Sequence, residues 1–86
     1  MLNKIITFFR RQQQYDEGLA IIQQAIKIFP ADARLRVAAG NLYREMGLVF
    51  RAIEEYKQAL TIDQENLQAR NHLIMLQQTT GKKIKL

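Results

Sequence analysis

The chain lacks cysteine and serine altogether and has one histidine in its 86 residues. Without cysteine it can form no disulfide, no thiolate metal site and no cysteine nucleophile. It also has little proline and glycine, one and four residues respectively, which leaves few places for long irregular loops. The scarcity of both residues favours a helical protein.

Long apolar runs are also absent, since none approaches the roughly 20 residues that cross a bilayer. The segment 1–10 lacks the long apolar core and the small-residue cleavage site of a signal peptide. Hydrophobic residues make up 48% and charged residues 24%, which is typical of a folded soluble protein. The length allows one domain at most. We therefore expect a single domain in a cytoplasmic protein.

Groups for catalysis are equally sparse. The pairs Asp16–Glu17 and Glu54–Glu55 are adjacent in sequence, and adjacent helical side chains point about 100° apart, so neither pair forms an acid/base site. His72 has no second ligand spaced to share a metal with it, and we interpret it as a surface or packing residue. The sequence predicts no catalytic residue, no cofactor and no metal site, and hence a protein that is not an enzyme.

What the chain does contain is an internal repeat. Shifting the sequence by 34 residues superimposes similar residues at many positions. The matched pairs are Gly47 with Gly81, Asp32 with Asn66, Ala25 with Ala59, Ile28 with Ile62, Ile26 with Leu60, Gln24 with Gln58, Gly18 with Ala52, and Phe9 with Tyr43. The best agreement lies between residues 15–30 and 49–64.

These residues resemble the tetratricopeptide repeat family, whose unit is a helix–turn–helix of the same period. The middle copy carries the family's small-residue and aromatic positions in order, at Ala39, Gly40, Tyr43, Gly47, Ala52, Tyr56, Ala59 and Leu60. The first copy carries Phe9, Tyr15–Glu17, Ala25 and Pro30. The middle copy departs from the family at Arg36, in place of an aromatic residue, and at Gln64, in place of the closing proline.

The resemblance covers about two and a half repeats and implies an all-α fold: a right-handed superhelical stack of antiparallel helix–turn–helix hairpins, an α-solenoid. Asp32 and Asn66 are good N-cap residues, and Gly47 and Gly81 are good C-cap residues. We predict five helices, at roughly 2–13, 16–29, 33–46, 49–62 and 67–79. The single domain 1–86 then comprises a first repeat (about 1–32), a second repeat (33–66), a terminal helix (67–79) and a basic tail (80–86).

Small residues indicate how the hairpin helices approach each other. Gly40 and Ala52 are expected to let the two helices of the second repeat cross closely. In the first repeat the corresponding residues are Ile6 and Gly18. We interpret this as an exchange of volumes, with a large side chain on one helix packing against a glycine on the other.

The resemblance also implies a binding surface, because the first helix of each repeat in this family lines a concave groove. By register, the groove residues are Asn3, Thr7, Arg10, Arg34, Val37, Asn41, Arg44, Gln68, Asn71 and Met75. The predicted helices 2–13 and 33–46 contain six basic residues and one acidic residue. Arginine and amide side chains suit a protein or peptide partner with an acidic segment. The alternative is a solvated face whose charges serve solubility alone.

Two further interpretations remain open from the sequence. Apolar residues at both ends of the stack, including Phe8, Phe9 and Ile74, predict self-association into a homo-oligomer or membership of a longer repeat array. The net charge of +5 allows nucleic-acid binding by a basic helical-repeat module. Few aromatic residues fall on the groove positions for base stacking, which disfavours the nucleic-acid alternative.

Overall fold

The computed structural model describes the backbone of residues 2–84 and the side chains of residues 10–78. The described backbone forms four helices and no strand. They are α1 (Leu2–Ile28), α2 (Ala33–Glu45), α3 (Val49–Ile62) and α4 (Leu67–Ile84). The all-α prediction is confirmed, with four helices in place of five.

Helices α2 and α3 form the predicted hairpin. The Asp32 carboxylate caps α2 by accepting the backbone N–H of Arg34 at 3.0 Å, as an N-cap residue does. Gly47 has a φ of 81°, and the N–H groups of Gly47 and Leu48 donate to the carbonyls of Arg44 and Tyr43 at 3.0 and 2.9 Å. This is a Schellman motif with glycine at its left-handed position. The chain therefore reverses where the sequence predicts.

The core lies where α3 packs between α2 and α4. Ala52, Tyr56 and Ala59 of α3 are fully buried, together with Ala69 of α4. These residues of α3 are spaced by four and three positions, which places them on one face of the helix. The alanines keep the contact surfaces small, so the helices approach closely and enclose the single large ring of Tyr56.

Helix α4 begins as predicted and ends later. The Asn66 side chain accepts the N–H of Ala69 at 3.0 Å, which confirms the N-cap. The helix then runs through Gly81 to Ile84, so the predicted C-cap at Gly81 and the predicted end at residue 79 are wrong. Glycine permits a left-handed turn but does not impose one. Gly47 is followed by an amphipathic segment that packs back on α2, whereas Gly81 is followed by two lysines.

Helix α1 is continuous from Leu2 to Ile28, so the two predicted helices 2–13 and 16–29 and the turn between them are wrong. The register explains the difference. Gln13 occupies the position of Gly47, between two further glutamines. A non-glycine residue in the left-handed region costs about 1–2 kcal/mol, and glutamine is a good helix former. The chain therefore continues as helix.

The second half of α1 nevertheless packs on α2. A Cβ built on Gly18 would lie 3.4 Å from Cδ2 of Leu42. Ile6 stands 12 residues before Gly18 on the same helix, about 18 Å away at 1.5 Å per residue. The predicted exchange of volumes between Ile6 and Gly18 is therefore wrong within one chain. The described fold comprises one complete hairpin with single helices packed on its two sides.

Candidate functional site

The ring of Tyr56 joins α2 to α4. Its side chain is fully buried, and its hydroxyl donates to Oδ1 of Asn41 on α2 at 2.6 Å. On the other side the ring stacks on His72 of α4, with centroids 5.3 Å apart and planes inclined by 19°. Asn41 of α2 and His72 of α4 thus both contact Tyr56, which lies on α3 between these two helices. We call this region, comprising Asn41, Arg44, Tyr56 and His72, the Tyr56 groove.

Gly40 allows the tyrosine ring to reach this position. A Cβ built on Gly40 would lie 2.6 Å from Cε1 of Tyr56 and 2.9 Å from its Cδ1 and Cζ. Contacts this short do not occur between carbon atoms in folded proteins, so only the hydrogen of glycine fits. The close approach that the sequence predicts at Gly40 is confirmed, and its partner is the Tyr56 ring.

Arg44 differs from the other arginines of α2. Arg34 pairs with Asp32 at 2.9 Å and Arg36 pairs with Glu55 at 3.1 Å. Arg44 has no ion pair among the described side chains, and its buried Nε has no hydrogen-bond partner there. It is half-buried, so its charge is less screened by water than that of an exposed arginine. Arg44 therefore brings to the groove a positive charge that no ion pair among the described side chains neutralises.

The ionisation of the neighbouring groups is consistent with this charge. Partial burial lowers the pKa of His72, and the positive charge of Arg44 lowers it further. Burial raises the pKa of Tyr56; the positive charge of Arg44 lowers it, and the negative charge of Glu45 raises it. At neutral pH, His72 and Tyr56 are therefore uncharged. Arg44 is therefore the charged member of the Tyr56 groove.

Residues 33–66, which form the α2–α3 hairpin and the turn after it, match the sequence model of the tetratricopeptide repeat family. This segment is a tetratricopeptide repeat. The predicted family is confirmed, and repeats of this family generally mediate protein–protein interactions and are not catalytic. A search of curated proteins gives no match to the chain.

Two observations on the described part of the chain concern other kinds of site. None of its helices has the length and apolar character needed to cross a membrane. Nor do its histidine, aspartate and glutamate side chains form a group of three that could hold a metal ion.

Of the predicted groove residues, Asn41 and Arg44 lie beside the Tyr56 ring. Asn41 and Arg44 lie on the α2 side, and Gln68, Asn71 and Met75 are exposed on α4 at spacings of three and four residues, which place them on one helical face. Val37, by contrast, is only 4% exposed and belongs to the core. Its side chain does not line the groove. The family register predicts that Val37 faces the groove, but its apolar side chain packs into the cluster around Tyr56.

The remaining predicted groove residues lie elsewhere. Arg34 is exposed at the start of α2, ten residues from Arg44, or about 15 Å along the helix. It lines a cleft of about 700 Å³ between the α1–α2 and α3–α4 turns. Arg10 is exposed on α1, about 27 Å along that helix from its C-terminal end. Asn3 and Thr7 are on α1, and their side chains lie outside the described residues.

The sequence does not reveal that Tyr56 and His72 pack on each other. In the sequence, Tyr56 is one of the positions matched to the family, and His72 is interpreted as a surface or packing residue. The structure shows that His72 packs on the tyrosine ring.

The lowered pKa of His72 predicts a loss of stability on acidification. The unfolded chain takes up a proton near pH 6.5, the ordinary pKa of histidine, whereas the folded chain takes it up at lower pH. The contribution to the free energy of unfolding is therefore complete above pH 6.5 and falls as pH falls towards the folded-state pKa. Urea titrations at pH 7.5 and 5.5 check this. The wild type should lose more stability between the two conditions than His72→Gln, and equal losses would contradict the prediction.

Proposed function

We propose that this chain is a protein-interaction module whose Tyr56 groove holds an extended, carboxylate-bearing segment of a partner protein. The observation that carries the proposal is Arg44, a half-buried guanidinium without an acidic partner among the described side chains. A carboxylate accepts two parallel hydrogen bonds from an arginine fork. An acidic side chain of the partner supplies the charge and the acceptors that the groove lacks.

Asn41 adds a second donor to the same place. Its Oδ1 accepts the hydroxyl hydrogen of Tyr56, which leaves the amide NH₂ for another acceptor. The exposed amides of Gln68 and Asn71 on α4 provide further donors for a peptide backbone. Met75 adds an adaptable apolar contact. The groove therefore combines one charged anchor with polar groups for orientation.

Arg34 contributes less to this proposal than Arg44. Both side-chain oxygens of Asp32 already accept hydrogen bonds from its guanidinium, at 3.1 and 2.9 Å. A partner carboxylate has to compete with Asp32 for these donors. The two arginines are about 15 Å apart, which corresponds to roughly four or five residues of an extended peptide. An acidic segment of this length reaches both, with Arg44 as the principal contact.

Charge reversal at Arg44 tests the proposal. Peptide display on the wild-type chain is expected to select sequences rich in aspartate and glutamate. The selected peptides should bind Arg44→Glu at least about 30-fold more weakly, since losing one partner of a desolvated charge pair costs 2 kcal/mol or more. Arg51→Glu, at an exposed position on α3, makes the same charge change away from the groove and is the matched control.

Two outcomes of this experiment oppose the proposal. One is a selection without enrichment of acidic residues. The other is an equal loss of affinity in Arg44→Glu and Arg51→Glu, which would indicate a general effect of net charge. The nucleic-acid alternative gains no support from the described residues, since Arg34 and Arg36 are paired with acids. Self-association stays a prediction.

A further inference from the structure

The second half of α1 exposes an apolar stripe that is covered in α3. By the 34-residue register, Gly18, Leu19, Ile22 and Ala25 of α1 correspond to Ala52, Ile53, Tyr56 and Ala59 of α3. All four residues of α3 are buried, whereas all four of α1 are only half-buried. Ile21, beside them, is 68% exposed. What α1 lacks is a helix in the position that α2 takes against α3.

The sequence of residues 2–13 is suited to this position against α1. The first evidence comes from the residues that correspond to an ion pair of the complete repeat. In the complete repeat, Arg36 of α2 pairs with Glu55 of α3 at 3.1 Å. The residues at the same register in the first copy are Leu2 and Ile21. Both members of the pair have changed from charged to apolar. Ile21 is thus matched to a helix that carries leucine where α2 carries arginine.

The contacts of Tyr56 show the same joint change. Its ring lies against Gly40, and its hydroxyl donates to Asn41. In the first copy Tyr56 becomes Ile22, and its two partners become Ile6 and Thr7. A large ring against a glycine is replaced by two side chains of intermediate size. The first copy thus lacks both the tyrosine hydroxyl that donates this hydrogen bond and the asparagine amide that accepts it.

Residues 2–13 cannot reach this stripe on their own chain. They continue straight into it as one helix, because Gln13 replaces the glycine that makes the α2–α3 turn. A second copy has no such restriction. Two α1 helices, placed antiparallel and crossing near Gln13, bring residues 2–13 of each chain onto residues 16–28 of the other. Such an exchange is an isologous, two-fold contact, a common route to a homodimer.

Charge complementarity supports this antiparallel arrangement. With the crossing at Gln13, Arg10 and Arg11 of one chain lie close to Asp16 and Glu17 of the other. All four of these side chains are exposed in the single chain. Opposite charges therefore meet on both sides of the two-fold axis. We infer that the chain forms a homodimer by exchanging residues 2–13, through a surface separate from the Tyr56 groove.

Sedimentation equilibrium of the 86-residue chain tests the inference. The wild type is expected to be a dimer. Ile21→Glu should raise the dimer dissociation constant at least tenfold, because it places a carboxylate in the exchanged apolar contact. Leu2→Arg combined with Ile21→Glu restores the arginine–glutamate pair of the complete repeat and should recover the dimer. Phe50→Glu, at a 72% exposed position on α3, is the control and should not change the association.

A monomeric wild type, or equal effects of Ile21→Glu and Phe50→Glu, would overturn the inference. Cysteine pairs then test the contact itself, since the natural chain has no cysteine. Chains carrying Leu2→Cys are mixed with chains carrying Ile21→Cys and treated with a short thiol-to-thiol linker. The exchanged dimer gives a link from position 2 of one chain to position 21 of the other. Its absence by mass spectrometry contradicts the proposed contact.

Discussion

Replacing Gly40 with alanine is expected to destabilise the fold by about 3 kcal/mol, near the upper end of the usual cost of overpacking a core. In most helices this substitution stabilises, by about 0.5–1 kcal/mol. Here the new methyl group would lie 2.6 Å from a carbon of the Tyr56 ring. The ring is fully buried and has no free space to enter, so α2 and α3 have to separate.

Gly18→Ala is the matched control for this substitution. Gly18 also lies inside a helix, but its added Cβ meets only the end of the Leu42 side chain, at 3.4 Å. We expect Gly18→Ala to be neutral or to stabilise by up to about 1 kcal/mol. Urea unfolding followed by circular dichroism measures both. A Gly40→Ala chain as stable as Gly18→Ala would show that the ring does not pack on Gly40.

Replacing Tyr56 with alanine is expected to cost about 3–5 kcal/mol, the range for removing a large aromatic side chain from a core. The ring is the largest fully buried side chain of the described chain, and it contacts both α2 and α4. Its loss therefore opens both helix–helix contacts of α3. Since small domains are stable by only about 5–15 kcal/mol, Tyr56→Ala should leave a substantial unfolded fraction at 37 °C.

Tyr56→Phe separates the ring from the hydroxyl. It keeps the packing on Gly40 and the stacking on His72 and loses the hydrogen bond to Asn41, for an expected cost of about 1 kcal/mol. Thermal unfolding of the two variants and the wild type gives the comparison. If Tyr56→Ala costs no more than Tyr56→Phe, the ring is not the element that joins α2 to α4.

Local rules are sufficient to predict much of the fold. The N-caps at Asp32 and Asn66 and the turn at Gly47 depend on residues within a few positions, and all three are present. The wrong turn at residues 14–15 has a different origin. The similarity of residues 15–30 to 49–64 indicates that both segments are second helices, but it does not show that a turn precedes each. That depends on residue 13, where glutamine replaces glycine.

The groove was less predictable than the fold, because its properties depend on contacts between helices. The family register locates Asn41 and Arg44. It does not reveal that Arg36 pairs with Glu55, which is 19 residues away on another helix, or that Val37 packs into the core. The net charge of a helix therefore overestimates the positive charge that is free to bind a partner. Arg44 can be proposed as the anchor only once these pairs are known.

The most direct test of the proposed groove is a titration of the ¹⁵N-labelled chain with an acidic peptide selected by display, followed by NMR. We expect the largest chemical-shift changes at the side-chain signals of Asn41, Arg44 and Asn71 and at His72, with little change at Arg51. Changes concentrated at Phe29 and the surrounding cleft, or on α1, would contradict it.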